Sequence, residues 1–346
     1  MRKPLRNVLF TFDYELYLGV KSGSVDNCLI APTNRVIAIL SKYDARSVFF
    51  VDTTYLLRLQ QIKDQYPLAK ADWEKIVAQL QAIFLLGHDI FPHLHPHWLD
   101  AVYKEETNEW DLTDFSRYRF NSISTGERDF IWSESIRILG DIVHPLNTGY
   151  QFNSYRAGGW SIQPFSDFKP YFEAYGIKYD FSVKPGYKQI SNAQQYDFLN
   201  APQKSVYSFG DDVVAENAEG RYTQYTTSSI RKLSGGYKFI DRVLNRLLPA
   251  GHLHGYGDGV TASPQSSSTG TKNDYFANAE MISIESLVLA KLPGHFKYLK
   301  QNNYMQFLSH PKMISEHNLF CLNVFLKHAK ANYSLNTDFR KITLQE

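Results

Sequence analysis

Four of the eleven histidines of this 346-residue chain lie close together, and three of them alternate with other residues: His93, His95 and His97. In an extended segment, alternate side chains point to one face, so all three imidazoles would face the same way. If the chain instead turns helical at Pro92, His93 and His97 share a face. Either arrangement offers two or more ring nitrogens to one divalent ion, which clustered imidazoles commonly bind. A histidine-rich surface loop is the alternative.

Two carboxylates follow the first apolar run of the chain. Residues 7–12 (N-V-L-F-T-F) are typical of a buried strand, and Asp13 and Glu15 come directly after it at positions i and i+2. Because side chains two residues apart share a face of a strand, the pair suits a general base and a metal ligand. Which of the two binds the metal stays open, and a solvated strand end is the alternative for so short a pattern.

A further candidate is Arg156, which follows the predicted strand 152–155 and precedes Gly158 and Gly159. A buried arginine at a strand end can hold a carboxylate through two hydrogen bonds. The two glycines permit close approach of the backbone, which could aim N–H groups at a developing oxyanion. We predict that Gly159 and the adjacent Trp160 contact the substrate. A tight turn with an exposed arginine is the alternative.

These candidates need a scaffold that brings strand ends together. The predicted strands are 7–12, 47–51, 152–155, 177–183 and 305–308, and the predicted helices are 33–43, 54–61, 73–86, 125–142, 164–175, 237–248, 277–299 and 316–330. Strands that alternate with helices indicate an α/β fold with a parallel sheet or barrel. In such a fold the carboxyl ends of the strands lie side by side.

The remaining stretches lack a clean period. Residues 101–124 are polar and aromatic, and residues 187 to about 235 are polar, rich in tyrosine and short in apolar runs. We predict insertions at about 101–124 and 187–275 in one domain of residues 1–346, and we predict that 187–235 forms hairpins or loops outside the main sheet. No internal repeat or long linker indicates a second domain.

Composition argues against several classes of function. The formal net charge of +2 is too small for nucleic-acid binding through bulk electrostatics. The two cysteines, Cys28 and Cys321, are far apart in sequence, which is typical of free thiols in a reducing compartment. No run approaches the length of a membrane span, and no long apolar segment precedes Asp13. We therefore expect a cytoplasmic protein without a nucleic-acid partner.

Six motifs follow one another within residues 6–186 and 300–330: T-F-D-Y-E, S-V-F-F-V-D, G-H-D-I-F-P-H-L-H-P-H-W, Y-R-A-G-G-W, G-I-K-Y-D-F-S-V-K-P-G and F-L-S-H-P-K. In this order they resemble the polysaccharide deacetylases of the NodB-homology class, carbohydrate esterase family 4. The resemblance implies a distorted (β/α)7-type barrel with loop insertions. It also implies metal-dependent removal of an N- or O-acetyl group, with N-acetyl favoured, from a sugar in polysaccharide or surface-glycan metabolism.

The resemblance also assigns roles to individual residues. Asp13 matches the general base, Arg156 the arginine that holds it, and His310 the acid histidine that protonates the leaving group. His93 and His97 match the two histidines of the family's H-x-x-x-H metal motif. The implied cofactor is a divalent metal ion, with zinc expected, and the implied partner is a sugar or glycan.

Three features depart from the family pattern. Tyr14 stands where a second, metal-binding aspartate is common, so Glu15 is the expected substitute. The extra His95 leaves open whether His93 pairs with His97 or with His95. No aspartate–tryptophan motif supports the acid histidine. A carbohydrate-binding or scaffold protein that has lost catalysis is therefore the alternative function, and deacylation of a non-sugar amide is a third.

Overall fold

The apolar runs of the sequence form the centre of the molecule. The computed structural model describes residues 3–232, 252–261 and 267–343. These residues form sixteen strands: β1 (Leu5–Tyr14), β2 (Val48–Asp52), β3 (Asp89–Leu94), β4 (Val102–Lys104), β5 (Glu109–Asp111), β6 (Ser154–Ala157), β7 (Tyr179–Asp180), β8 (Tyr187–Ser191), β9 (Gln195–Asp197), β10 (Val206–Phe209), β11 (Tyr222–Tyr225), β12 (Ser229–Arg231), β13 (Ser267–Thr271), β14 (Ala279–Met281), β15 (Tyr304–Ser309) and β16 (Ser334–Asn336). They also form eight α-helices: α1 (Ala31–Lys42), α2 (Thr53–Ile62), α3 (Pro67–Leu85), α4 (Thr125–Val143), α5 (Lys169–Tyr175), α6 (Asp274–Ala277), α7 (Leu292–Gln301) and α8 (Glu316–Asn332).

The main sheet is mostly parallel. Its strands follow one another in the order β10–β11–β7–β6–β3–β2–β1–β15, and β16 pairs with the first residues of β1. Only β10 and β11 are antiparallel neighbours among these strands. Every residue of β2, β3, β6 and β15 is buried, as is typical of a parallel sheet covered on both faces. The sheet curls into a half-barrel, which confirms the predicted distorted α/β barrel.

Most predicted helices are present. Those expected at 33–43, 54–61, 73–86, 125–142 and 316–330 correspond to α1, α2, α3, α4 and α8. The continuous helix expected at 277–299 is wrong, because β14 occupies part of it and α7 begins only at Leu292. Pro293 lies in the first turn of α7, where its missing N–H breaks no helical hydrogen bond.

The helix predicted at 237–248 lies outside the described residues. No helix in the part of the chain that the structure describes is long and apolar enough to cross a membrane.

The two predicted insertions differ in how they relate to the sheet. Residues 101–124 contain the small hairpin of β4 and β5. Within 187–275, β8, β9 and β13 form a separate sheet, whereas β10 and β11 extend the main sheet. The expectation of hairpins outside the main sheet is therefore confirmed for β8 and β9 and wrong for β10 and β11. Tyr222 and Tyr225, which suggested a polar loop, bury their rings as strand residues.

The strand order decides where the candidate residues meet. Because β1, β2, β3, β6 and β15 are parallel neighbours, their carboxyl ends lie along one edge of the sheet. Asp13 and Glu15 lie at the end of β1, Arg156 lies near the end of β6, and His310 directly follows β15. The candidate side chains therefore come together at this edge.

Candidate metal centre and active site

Glu15, His93 and His95 form a buried group that could hold a metal ion. Glu15 Oε2 lies 2.8 Å from His95 Nε2 and 3.4 Å from His93 Nε2, and the two ring nitrogens are 3.0 Å apart. One carboxylate and two imidazoles are a common donor set of catalytic zinc sites, which keep a position free for water or substrate. The three donor atoms lie within 3.4 Å of one another, so the residues present fit a divalent ion.

Backbone geometry explains why His95, rather than His97, faces His93. The chain stays extended from β3 through His95, so His93 and His95 point to the same face. At Pro96 a short 3₁₀ turn begins, and it carries His97 out of the alternation. The structure thus brings together Glu15, His93 and His95 and leaves His97 outside this cluster.

His97 nevertheless lies beside the cluster. Its ring stacks on Tyr118 at 4.7 Å between centroids and meets His95 edge-on at 5.6 Å. Burial, together with the neighbouring His95, lowers the pKa of His97 well below its ordinary value, so its ring is neutral. Both ring nitrogens are buried without a hydrogen-bond partner among the described residues. Its predicted role as a ligand stays a prediction.

The tautomer of His93 is set by its neighbour. His93 Nδ1 lies 2.7 Å from the carbonyl oxygen of Arg156, which can only accept a hydrogen bond. Nδ1 therefore carries a proton, and Nε2 is the ring nitrogen that faces the cluster. A backbone carbonyl in this position commonly orients metal-binding histidines.

Arg156 holds Asp13 at the carboxyl ends of the parallel strands. Its Nη1 donates to Asp13 Oδ1 at 2.6 Å and its Nη2 donates to Thr11 Oγ1 at 2.7 Å, with no exposed surface on the arginine. Its guanidinium also lies over the Phe50 ring, 4.3 Å from the centroid. Burial raises the pKa of Asp13, but the charges of Arg156, His93 and nearby groups outweigh it and keep this pKa below its ordinary value. Asp13 is therefore an ionised carboxylate with Oδ2 free of the arginine.

His310 faces Asp13 from the end of β15. Its Nε2 lies 3.5 Å from Asp13 Oδ2 and 3.8 Å from Glu15 Oε1, and its Nδ1 lies 3.2 Å from Glu285 Oε1. Burial alone would lower the pKa of His310, but the hydrogen bond with Glu285 and the charges of Asp13 and Glu15 raise it above its ordinary value. This arrangement favours a protonated imidazole.

Two charged residues of the site were not predicted from the sequence. Glu285 supplies the carboxylate that His310 needs, although it belongs to no recognised motif and lies in the loop between β14 and α7. Lys312 donates to the other oxygen of Glu15, Oε1, at 2.9 Å. In the sequence it is the last residue of the F-L-S-H-P-K motif, two residues after His310.

Two other side chains at strand ends have structural partners. Tyr14 points away from the cluster and donates to Gln79 Oε1 at 2.7 Å, which agrees with the expectation that it is not a ligand. Asp52, at the end of β2, caps α2 and accepts a hydrogen bond from Trp98 Nε1 at 2.6 Å. Burial raises the pKa of Asp52 to about 6.

The glycine segment after β6 lies against the histidines. A Cβ atom on Gly158 would lie 2.3 Å from the Leu94 carbonyl oxygen and 2.9 Å from His95 Nδ1. Only glycine therefore permits this approach. The adjacent Gly159 and Trp160 both have φ of 57°, in the left-handed region. Their predicted contact with substrate stays a prediction.

Comparisons with known proteins give a structural likeness. No family model matches the sequence, and no curated protein matches it. A probable polysaccharide deacetylase from Pseudomonas aeruginosa PAO1 is similar over 98% of this chain and 89% of its own, at 12% identity and a TM-score of 0.47. The catalytic domain of a peptidoglycan N-acetylglucosamine deacetylase from Eubacterium rectale ATCC 33656 is similar over 98% and 91%, at 11% identity and a TM-score of 0.38.

A solved allantoinase is also similar to this chain. Puue allantoinase is similar over 96% of this chain and 86% of its own, at 11% identity and a TM-score of 0.47. The chain thus has a structural likeness to solved polysaccharide deacetylases over nearly its full length. The likeness is one of fold.

Proposed function

We propose that this protein is a metal-dependent hydrolase that removes an N-acetyl group from a sugar. The observation that carries the proposal is the convergence of three charged units on one sheet edge. Asp13 is held by Arg156, His310 is held by Glu285, and His310 Nε2 lies within 3.8 Å of both Asp13 and Glu15. A base, an acid and a metal-binding carboxylate within contact distance are what amide hydrolysis needs.

Each group has a defined part in the proposed reaction. A divalent ion, with zinc expected, would polarise the acetyl carbonyl and make water more acidic. Asp13 accepts the proton of the attacking water on Oδ2, because Arg156 occupies Oδ1. His310 then donates its Nε2 proton to the leaving nitrogen as the C–N bond breaks, and acetate and a free amine result. Loss of Asp13 or His310 would cost a factor of about 10² to 10⁴ in rate.

The alternative of an inactive carbohydrate-binding protein receives less support. Two departures from the family pattern favour this alternative: Tyr14 replaces a metal-binding aspartate, and no aspartate–tryptophan motif supports the acid histidine. Glu15 and Glu285 offer the two missing carboxylates. We extend the proposal to a cytoplasmic protein whose substrate is a precursor, such as a nucleotide-linked or lipid-linked sugar.

The test is acetate release from a panel of N-acetylated and O-acetylated sugars, with metal content measured on the same protein. His310→Ala is then compared on an amide substrate and on an activated phenyl ester. An amine leaving group needs a proton, whereas a phenolate does not, so we expect a large loss on the amide and a small loss on the ester. Equal losses on both substrates would remove His310 as the acid, and no acetate release by the metal-loaded protein would refute the function.

A further inference from the structure

Lys312 is an ammonium group placed inside the candidate metal centre. It lies in the short turn Pro311–Met313 that follows β15, and only 4% of its surface is exposed. Its Nζ donates to Glu15 Oε1 at 2.9 Å and to the Leu16 carbonyl oxygen at 2.6 Å. The Tyr17 ring lies 5.0 Å from the same Nζ.

The backbone of Lys312 is held as firmly as its side chain. Its carbonyl oxygen accepts a hydrogen bond from Gly257 N at 2.8 Å. A Cβ atom on Gly257 would lie 2.9 Å from that oxygen, so the segment 252–261 packs closely over the turn. The lysine is therefore fixed in one position and cannot swing away from Glu15 without breaking several contacts.

The two oxygens of Glu15 have different partners. Oε2 lies 2.8 Å from His95 Nε2 and 3.4 Å from His93 Nε2, whereas Oε1 accepts a hydrogen bond from Lys312. A carboxylate that binds a metal through both oxygens would need Oε1 to turn towards the histidines. The hydrogen bond from Lys312 opposes that turn, and the positive charge of the ammonium repels a cation on the other oxygen.

We propose that Lys312 is a positioning residue that restricts Glu15 to a one-oxygen metal ligand and weakens the binding of the divalent ion. This inference rests on the metal centre of the proposed function. It also has a chemical consequence. A carboxylate that is partly neutralised by an ammonium gives less negative charge to its metal, so the metal remains a stronger Lewis acid.

The change in metal affinity when Lys312 is removed distinguishes a restraining lysine from a purely structural one. If Lys312 served only to stabilise the fold around Glu15, its removal would leave metal affinity unchanged or reduce it. If it restrains and partly neutralises Glu15, its removal increases affinity for Zn²⁺, by about tenfold or more on electrostatic grounds.

The experiment measures Zn²⁺ dissociation constants of the full chain by competition with a chromophoric chelator, after metal has been stripped. Three substitutions separate the two effects of the lysine. Lys312→Arg keeps both the charge and a donor, Lys312→Gln keeps a donor without the charge, and Lys312→Met removes both. Lys297→Met, at an exposed position in α7, is the matched control.

We expect wild-type affinity for Lys312→Arg and Lys297→Met, and tighter binding for Lys312→Gln and Lys312→Met. Lys312→Gln keeps the test decisive if Lys312→Met does not fold. Unchanged or weaker binding by folded Lys312→Gln would overturn the inference, and so would the absence of Zn²⁺ binding by both this variant and the wild type. Acetate release by the wild type is measured separately, so a failure of the proposed function can be distinguished from a failure of this inference.

Discussion

Replacement of Gly158 by alanine tests the geometry of the candidate metal centre without removing any chemical group from it. The new Cβ would lie 2.3 Å from the Leu94 carbonyl oxygen, well inside the 3.0 Å below which such contacts essentially never occur. It would also lie 2.9 Å from His95 Nδ1 and 3.0 Å from His95 Cε1. Leu94 is the last residue of β3, so the backbone cannot yield without disturbing its pairing with β6.

The size of the effect follows from these contacts. Overpacking in a buried, well-packed region commonly lowers the free energy of unfolding by about 1–3 kcal/mol. The His95 ring must also turn or shift, because two of its atoms lie within the same overlap. Changes beside a metal ligand typically weaken metal affinity by about 10- to 100-fold. We therefore expect Gly158→Ala to lose both stability and metal affinity.

The assay combines chemical denaturation with Zn²⁺ titration of the folded protein. Gly126→Ala is the matched control, because no atom lies within 4 Å of the position that its Cβ would take. Gly126 lies in the first turn of α4, so the control should keep its metal affinity and gain up to about 1 kcal/mol of stability from helix propensity. Wild-type stability and wild-type metal affinity in Gly158→Ala would refute the placement of His95 against this glycine.

Three other predictions concern individual side chains. His93→Ala should lose the divalent metal in elemental analysis; retention at wild-type stoichiometry would count against the site. Arg156→Lys keeps the charge but has only one nitrogen in place of the two that bond Asp13 and Thr11, so turnover should fall strongly while metal stays bound. Unchanged turnover would remove Arg156 from the mechanism. Glu285→Gln removes a group that raises the pKa of His310. Because the acid must carry its proton, activity is lost as pH rises through the pKa of His310. In Glu285→Gln the alkaline limb of the pH–rate profile should therefore move to lower pH. An unmoved limb would exclude Glu285 as the partner of the acid.

Much of the site could be predicted because strand alternation is a local property. Asp13 and Glu15 share a face because they are two residues apart at a strand end, and Tyr14 between them points to Gln79 instead. The same alternation predicted that His93 and His95 would face one way. The alternation could not tell where the extended segment ends, because the turn at Pro96 is one of several conformations that the local sequence allows.

The chemical groups at the ends of the strands could be identified from the chain alone, because apolar periodicity and side-chain type are local properties. Which distant groups meet there depends on the folded arrangement of the whole chain. Glu285 reaches His310, and Lys312 takes one oxygen of Glu15, across separations of 25 and 297 residues. The same limit explains β10 and β11, whose tyrosine-rich segments join the main sheet because β11 pairs with β7 and β10 pairs with β11. Such contacts depend on how the whole sheet curls, and no local pattern of residues encodes that.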